Sequence, residues 1–393
     1  MRILFSHRIR SRDGQAVHVE ELVQAFREEG HEVLVIGPPS FERTDFGGEG
    51  QALSVFRRLC PAVVYELLEL AYNIPSAWRL WRGCRRFRPD CIYERYNLFF
   101  FAGVFVKRLC GRPLHLEVNS PLASERAAHG GLALKGLAAR LERWVWRSAD
   151  HLYPVTGVLA DRLRRAGVSP DAITVNQNGA DLSDCAPTPL NDTTTAPVTL
   201  GFVGFLRPWH GLDAAIAAVA DQPNGVLRLV IVGDGPARSA LERQVAALGI
   251  ADRVDFLGLV TRRDIGQAIR NFDIALQPKA VPYASPLKLF EYMALGRAIV
   301  APNQPNIREI LTHERDALLF APDDTEAMRR AIIRLAADPA LRARLGSAAR
   351  QALLDRDYTW RGNARRVASM MSRGLGRTQP VMPAATNDPA FNR

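Results

Sequence analysis

The segment Ser-Pro-Leu-Lys-Leu-Phe-Glu at residues 285–291 sets four residue types at spacings that suit a nucleoside diphosphate. Serine is a strong N-cap and proline fits the first helical turn, where its missing N–H costs nothing, so a helix is expected to begin here with Ser285 as its cap. The first free amides would then be those of Leu287 and Lys288. A helix N-terminus carries about half a positive charge and attracts phosphate, and Lys288 adds a full charge beside it. Glu291 follows three residues later on the same helix face, where a carboxylate can accept hydrogen bonds from two adjacent sugar hydroxyls. The same spacing also describes a capped surface helix with an ordinary i,i+3 ion pair. The binding reading is favoured by residues 272–278 just upstream, a buried strand ending at a loop, because ligands in open α/β sheets bind at strand carboxyl ends.

Other strand-end loops carry polar groups of related chemistry. Gly233-Asp234-Gly235-Pro236 directly follows the apolar strand 227–232, and its glycines permit a tight turn and close approach of backbone to a ligand. Arg207 and His210 lie on the loop after the strand 199–204, where a diphosphate would arrive, and arginine suits forked phosphate recognition. In the amino-terminal half, Gly14 follows the first strand and can bring backbone amides to the same cleft. His18, Glu117, Asn119 and Glu125 are the polar groups expected to line the facing wall as acceptor-binding candidates. Each of these loops, taken singly, is at least as compatible with a structural role. No Gly-x-Gly-x-x-Gly follows a strand here and no Walker lysine loop occurs, which argues against nicotinamide and P-loop functions.

These residues need a scaffold of alternating strands and helices. Strands are expected at 2–6, 31–37, 91–93, 114–118, 151–155 and 173–175, with helices such as 17–29 and 132–149 between them. A second series of strands runs through 199–204, 227–232, 254–257, 273–276 and 298–301. The expected fold is therefore α/β, with two Rossmann-like halves of mostly parallel sheet facing a cleft. Residues 1–182 form the first domain, 183–198 a Pro- and Thr-rich linker, and 199–357 the second domain. A helix at 326–345 precedes a further amphipathic stretch, 358–372, long enough to return to the first domain, and 373–393 has a disordered composition.

The 393 residues are 47% hydrophobic, enough to bury the cores of two domains. No signal peptide and no apolar run near the roughly 20 residues of a bilayer span is visible, so a cytoplasmic protein is expected. Five cysteines, at 60, 84, 91, 110 and 185, make neither a Cys-x-x-Cys pair nor a zinc pattern. The net charge is +10, and residues 79–112 hold nine basic side chains against two acids, interleaved with phenylalanine. With Trp78 and Trp81 adjoining, that mixture suits an anionic membrane surface, though it also describes a solvated face of an arginine-rich protein. Nucleic acid is not expected, since no recognition motif is present.

Taken together, residues 285–296, the segment 201–212 ending in His210-Gly211-Leu212, Val232-Gly-Asp-Gly-Pro236, residues 254–258 and Asn178-Gly-Ala-Asp181 resemble the GT-B glycosyltransferases of family 4. The resemblance extends over about residues 1–372 and points to a branch acting in capsule, O-antigen and exopolysaccharide assembly. It implies a nucleotide-sugar donor, UDP- or GDP-linked, bound by the carboxyl-terminal half. Glu291 would meet the ribose, Lys288 and the amides of Leu287 and Lys288 the diphosphate, and backbone at Gly258, Leu259 and Val260 the base. The amino-terminal half would take a glycan or polyprenyl-linked acceptor, with transfer at retained configuration; docking of residues 79–112 on the inner face of the plasma membrane, read from the residues themselves, would bring the protein to a polyprenyl-linked sugar. Two positions depart from the family pattern. Tyr283 stands where many members have the first of two glutamates, and Phe205 and His210 stand where many have arginine and lysine, leaving Arg207 and Lys288 to serve the phosphates. No Asp-x-Asp lies in a suitable loop, so metal-independent transfer is expected. A nucleotide-sugar 2-epimerase of the same architecture and a catalytically silent binding subunit are the competing readings.

Overall fold

The computed structural model describes residues 1–9, 14–38, 60–128, 131–183 and 197–376, apart from the side chains of residues 262 and 263. Two parallel sheets form from the apolar, β-branched runs expected to be strands. In the first half the order is β1 (Arg2–Ser6), α1 (Gly14–Glu28), β2 (Glu32–Ile36), α2 (Ala62–Ala71), α3 (Asn73–Phe87), β3 (Cys91–Arg95) and α4 (Ala102–Cys110). It continues through β4 (Leu114–Val118), α5 (Leu122–Ala128), α6 (Lys135–Ser148), β5 (His151–Pro154) and α7 (Gly157–Arg165). The second half contains β6 (Val198–Val203), α8 (Leu212–Ala220), β7 (Leu227–Val232), α9 (Arg238–Ala247), β8 (Val254–Gly258), α10 (Arg262–Arg270) and β9 (Ile274–Leu276). It ends with α11 (Leu287–Ala294), β10 (Ala298–Pro302), α12 (Pro305–Arg308), β11 (Leu318–Phe320), α13 (Thr325–Ala337), α14 (Pro339–Asp355) and α15 (Trp360–Gly374).

Strand order decides where a ligand can sit. The first sheet runs β2-β1-β3-β4-β5 and the second β11-β10-β9-β6-β7-β8, every pairing parallel. Connections therefore leave in opposite directions from β1 and β3 in one sheet and from β6 and β9 in the other. Each reversal opens a crevice beyond the carboxyl ends of those strands. Buried apolar side chains fill both faces of each sheet, from Ile3, Phe5, Ile92 and Leu116 in the first to Leu200, Leu229, Ala275 and Ile299 in the second.

Three elements depart from the sequence expectation. Residues 173–175 make only an isolated bridge at Ile173 beside Leu152, with the Thr174 and Asn176 amides donating to the carbonyls of Leu152 and Pro154 at 3.0 and 2.9 Å. The helix expected at 326–345 is two helices, since Pro339 lacks an amide and Asp338 instead accepts from the Leu341 amide at 2.9 Å to start α14. The last helix extends to Gly374, two residues beyond the expected 372. It returns to α1, with Arg361 on Glu29 at 2.9 Å and Trp360 edge-on to His18 at 4.9 Å. Most of the expected linker, Cys185 and the end of the tail lie outside the described residues.

Candidate active site

Both crevices open onto one cavity of about 480 Å³ between the halves. Gly14, Gln15, His18, Arg95, Asn119 and Asn178 line it from one side, and Gly204, Arg207, His210, Gly233, Leu259, Val260, Ser285, Leu287, Lys288 and Glu291 from the other. Its size and mixed lining fit a small organic ligand. The start of α1 and the start of α11 meet across it, and a Cβ on Gly14 would stand 3.7 Å from Leu287 Cδ1.

Helix α11 begins differently from the expectation. Pro286 is its N-cap and no side chain caps it. Ser285 instead donates its hydroxyl to Gln177 Oε1 at 2.9 Å and accepts from the Asn178 amide at 3.2 Å, while Asn178 Nδ2 donates to the Ser285 carbonyl at 2.6 Å. The serine thus ties the helix start to the other half of the molecule, and the positive helix end is left without a competing side-chain oxygen.

Lys288 Nζ lies 3.8 Å from the centroid of the Phe202 ring, at the end of β6. A Cβ on residue 204 would stand 3.1 Å from that ammonium, and Gly204 has φ +146°, so glycine is what gives the lysine its place. Burial pushes the Lys288 ammonium down to about 7, with Glu291 pulling the other way. His210 is held neutral, pushed down to about 3 by burial and by Lys288 and Arg207. Arg207 lies against the rings of Phe205 and Trp209, at 4.6 and 5.3 Å.

On the facing wall Glu117 accepts from Arg95 at 2.5 Å and from the Tyr93 hydroxyl at 2.8 Å, and Asn119 also donates to it. Burial opposes ionisation of Glu117, but Arg95 and these hydrogen bonds outweigh it and keep its carboxyl below the usual range. His18 lies 3.0 Å from Arg95 and is pushed down to about 4 by burial, then by Arg95 against Glu117, so it is neutral at pH 7.

Several expected site residues stand elsewhere. Glu117 is buried behind the wall and acts on the cavity through Arg95, His18 and Asn119 rather than lining it. Asp234 accepts from the Gly235 amide at 2.7 Å, and Gly235 approaches the Leu206 backbone rather than a ligand, its Cβ position 2.5 Å from the Leu206 carbonyl oxygen. Gly258 accepts the Gly233 amide at 2.8 Å through its carbonyl. None of the three lines the cavity, because the glycines here serve the close crossing of the β6, β7 and β8 loops. Glu125 also lies outside the lining and receives the Tyr283 hydroxyl from the other half.

The amino-terminal half, residues 13–179, matches the model described as "Glycosyl transferase 4-like domain", and residues 191–352 match "Glycosyl transferases group 1". The lipopolysaccharide core biosynthesis glycosyltransferase LpsD of Rhizobium meliloti is 31% identical over 71% of this chain and 74% of its own length. This chain belongs to the GT-B glycosyltransferases of family 4. A 2-deoxystreptamine glucosyltransferase of Streptomyces kanamyceticus is 26% identical over 82% of this chain and 90% of its own. The structure of Anabaena Alr3699/HepE in complex with UDP shares the fold at a TM-score of 0.74 and 18% identity, covering 95% of this chain and all of that one.

Within this GT-B frame, Tyr283 is an interdomain contact. Its hydroxyl meets Glu125 and its carbonyl accepts from Thr156 Oγ1 at 3.0 Å. Sequence reasoning missed Arg95, Asn178, Gln277 and Lys279 as cavity residues. Arg95 carried a usable signal, a charged residue ending the apolar strand β3. Asn178 stood in the Asn178-Gly-Ala-Asp181 segment and Gln277 at the end of the strand 272–278, whereas Lys279 is brought in by its loop path. Among the described residues no three His, Cys, Asp or Glu side chains group as metal ligands, and no helix is long and apolar enough to cross a membrane.

Proposed function

We propose that this glycosyltransferase moves a hexosyl or N-acetylhexosaminyl group, with retention, from a UDP- or GDP-sugar to a glycan or polyprenyl-linked acceptor in cell-surface polysaccharide assembly. The observation that carries the reading is Lys288 and Glu291 on one turn of α11, facing the cavity beyond the β6–β9 reversal. Lys288, Arg207 and the α11 start stabilise the charge that develops as the bond from the sugar to the phosphate breaks. Glu291 holds the ribose hydroxyls, Leu259 and Val260 border the base, and Gly14 and Leu287 bring backbone to the diphosphate. His18, Asn119 and Arg95 receive the acceptor, whose hydroxyl oxygen bonds to the sugar on the face the leaving group vacates while its proton passes to the departing phosphate oxygen. No enzymic nucleophile is assigned. UDP is the first donor nucleotide to test, since a structure of this fold carries it.

Calorimetric titration with UDP and with GDP tests the donor site. One nucleotide should bind, and Glu291→Ala should weaken it about tenfold, or about 1.4 kcal/mol. Binding of neither would favour the silent-subunit reading, and turnover of donor without acceptor would favour the epimerase. Transfer is expected to continue undiminished in EDTA. Loss of activity that Mn²⁺ or Mg²⁺ restores would refute the metal-free mechanism.

A further inference from the structure

Helix α2 is amphipathic in the reverse sense for a surface helix. Glu66 is its one fully buried side chain, at 0% exposure, while Val63, Val64, Leu67 and Leu68 face outward and Leu67 is 53% exposed. At 100° per residue these four fall on one side of the helix, with Glu66 and Glu69 on the other. The acids are bonded inward. Glu66 accepts from the amides of Ala133 and Leu134 at 2.7 Å each, and Glu69 binds Arg126 at 2.6 Å and Arg8 at 3.5 Å. Four buried or part-buried polar bonds thus hold the helix with its apolar side out, so the exposure is built into the fold rather than left over from poor packing.

Helix α3 follows after Tyr72 and continues the pattern. Ile74 and Trp78 are 76% and 56% exposed, Trp81 is part-exposed, and Arg82 and Arg85 lie over the rings of Trp78 and Trp81 at 5.4 and 5.9 Å. These five side chains fall within an arc of about 100°. The helix carries four arginines and no acid. Of these, Arg79 is turned inward to the Tyr72 hydroxyl at 2.7 Å. The wider basic region 79–112 is not one surface, because Arg95 lines the cavity and Lys107 is paired with Asp150.

We propose that the outward faces of α2 and α3 dock this protein on an anionic phospholipid surface. Charge complementarity selects that occupant. Exposed tryptophans with arginines stacked on them match the headgroup layer, where an aromatic ring is half-immersed and a guanidinium meets phosphate. A hydrophobic protein partner would be matched by the apolar side chains but gives no role to an acid-free row of arginines. The proposal is independent of the donor reading.

The test is co-sedimentation of the full chain with vesicles of phosphatidylcholine alone and of phosphatidylcholine mixed with phosphatidylglycerol, at low and high salt. Partition should require the anionic lipid and fall with salt. Arg82→Glu/Arg85→Glu and Ile74→Ser/Trp78→Ser should each weaken it by about tenfold or more. Each variant is first matched to the parent in urea unfolding midpoint, and Arg82→Gln/Arg85→Gln replaces the charge reversal if that variant fails to fold. The proposal is overturned by equal partition to both vesicles, by no partition, by variants that partition like the parent, or by a dimer in sedimentation velocity that the same substitutions break.

Discussion

Lys288→Met is expected to lower the rate of sugar transfer by about 10²–10³-fold, the effect of removing one preorganised charge from a developing oxyanion. A methionine keeps the length and apolar body of the lysine, and the site beside Gly204 and Phe202 accommodates it, so the fold should persist. The pH dependence of binding separates this role from a structural one. In the free protein the ammonium loses its proton near pH 7, whereas a bound diphosphate favours the charged form and raises that value. Binding therefore takes up a proton, and UDP affinity should fall as pH rises from about 7 to 9, by at most tenfold per unit. Over that range the phosphates of UDP are already ionised, since a second phosphate pKa lies near 6. Calorimetry across this range should show a slope in the parent and a flat profile in Lys288→Met. An unchanged slope in the variant would assign the proton to another group.

Glu117→Ala is expected to destabilise the amino-terminal half by about 3–5 kcal/mol, because removing one partner of a buried ion pair leaves the other charge uncompensated. Arg95 would retain a guanidinium with its 2.5 Å partner gone, and Tyr93 and Asn119 would each lose an acceptor. A shift of the urea midpoint measures the cost. Acceptor binding should fail along with it, as Arg95, His18 and Asn119 are all held by this carboxylate. Glu117→Gln, which keeps the shape and one acceptor oxygen, should recover part of the stability. A destabilisation within about 0.5 kcal/mol for the alanine variant would show that the cluster is solvated rather than buried.

The fold was legible because its signals are local and repeated. Apolar runs such as residues 274–276 and 298–302 are buried on both faces, which is how strands of covered parallel sheets read. Pro339 was also legible as a helix start, yet the amphipathic pattern on both sides of it masked the break. In the candidate site, the pair Lys288 and Glu291 could be read from spacing, since i,i+3 residues share a helix face wherever the helix is placed. Ser285 could not, because the choice between capping a helix and bonding Gln177 depends on a partner 108 residues away in the chain. The same holds for Tyr283 and Glu125, whose contact joins the two halves.

The sequence by itself thus determined the alternation of strands and helices, the shared face of Lys288 and Glu291 on α11 and the family to which the chain belongs, all of them properties of short windows or of motif order. The tertiary structure alone decided that Gly235 and Gly258 serve loop crossings, that Arg95 and not Glu117 lines the cavity, and that α2 turns its acids inward and its valines and leucines out. These are contacts between segments distant in sequence, and which face of an element is buried is settled by what packs against it, a fact that periodicity cannot carry.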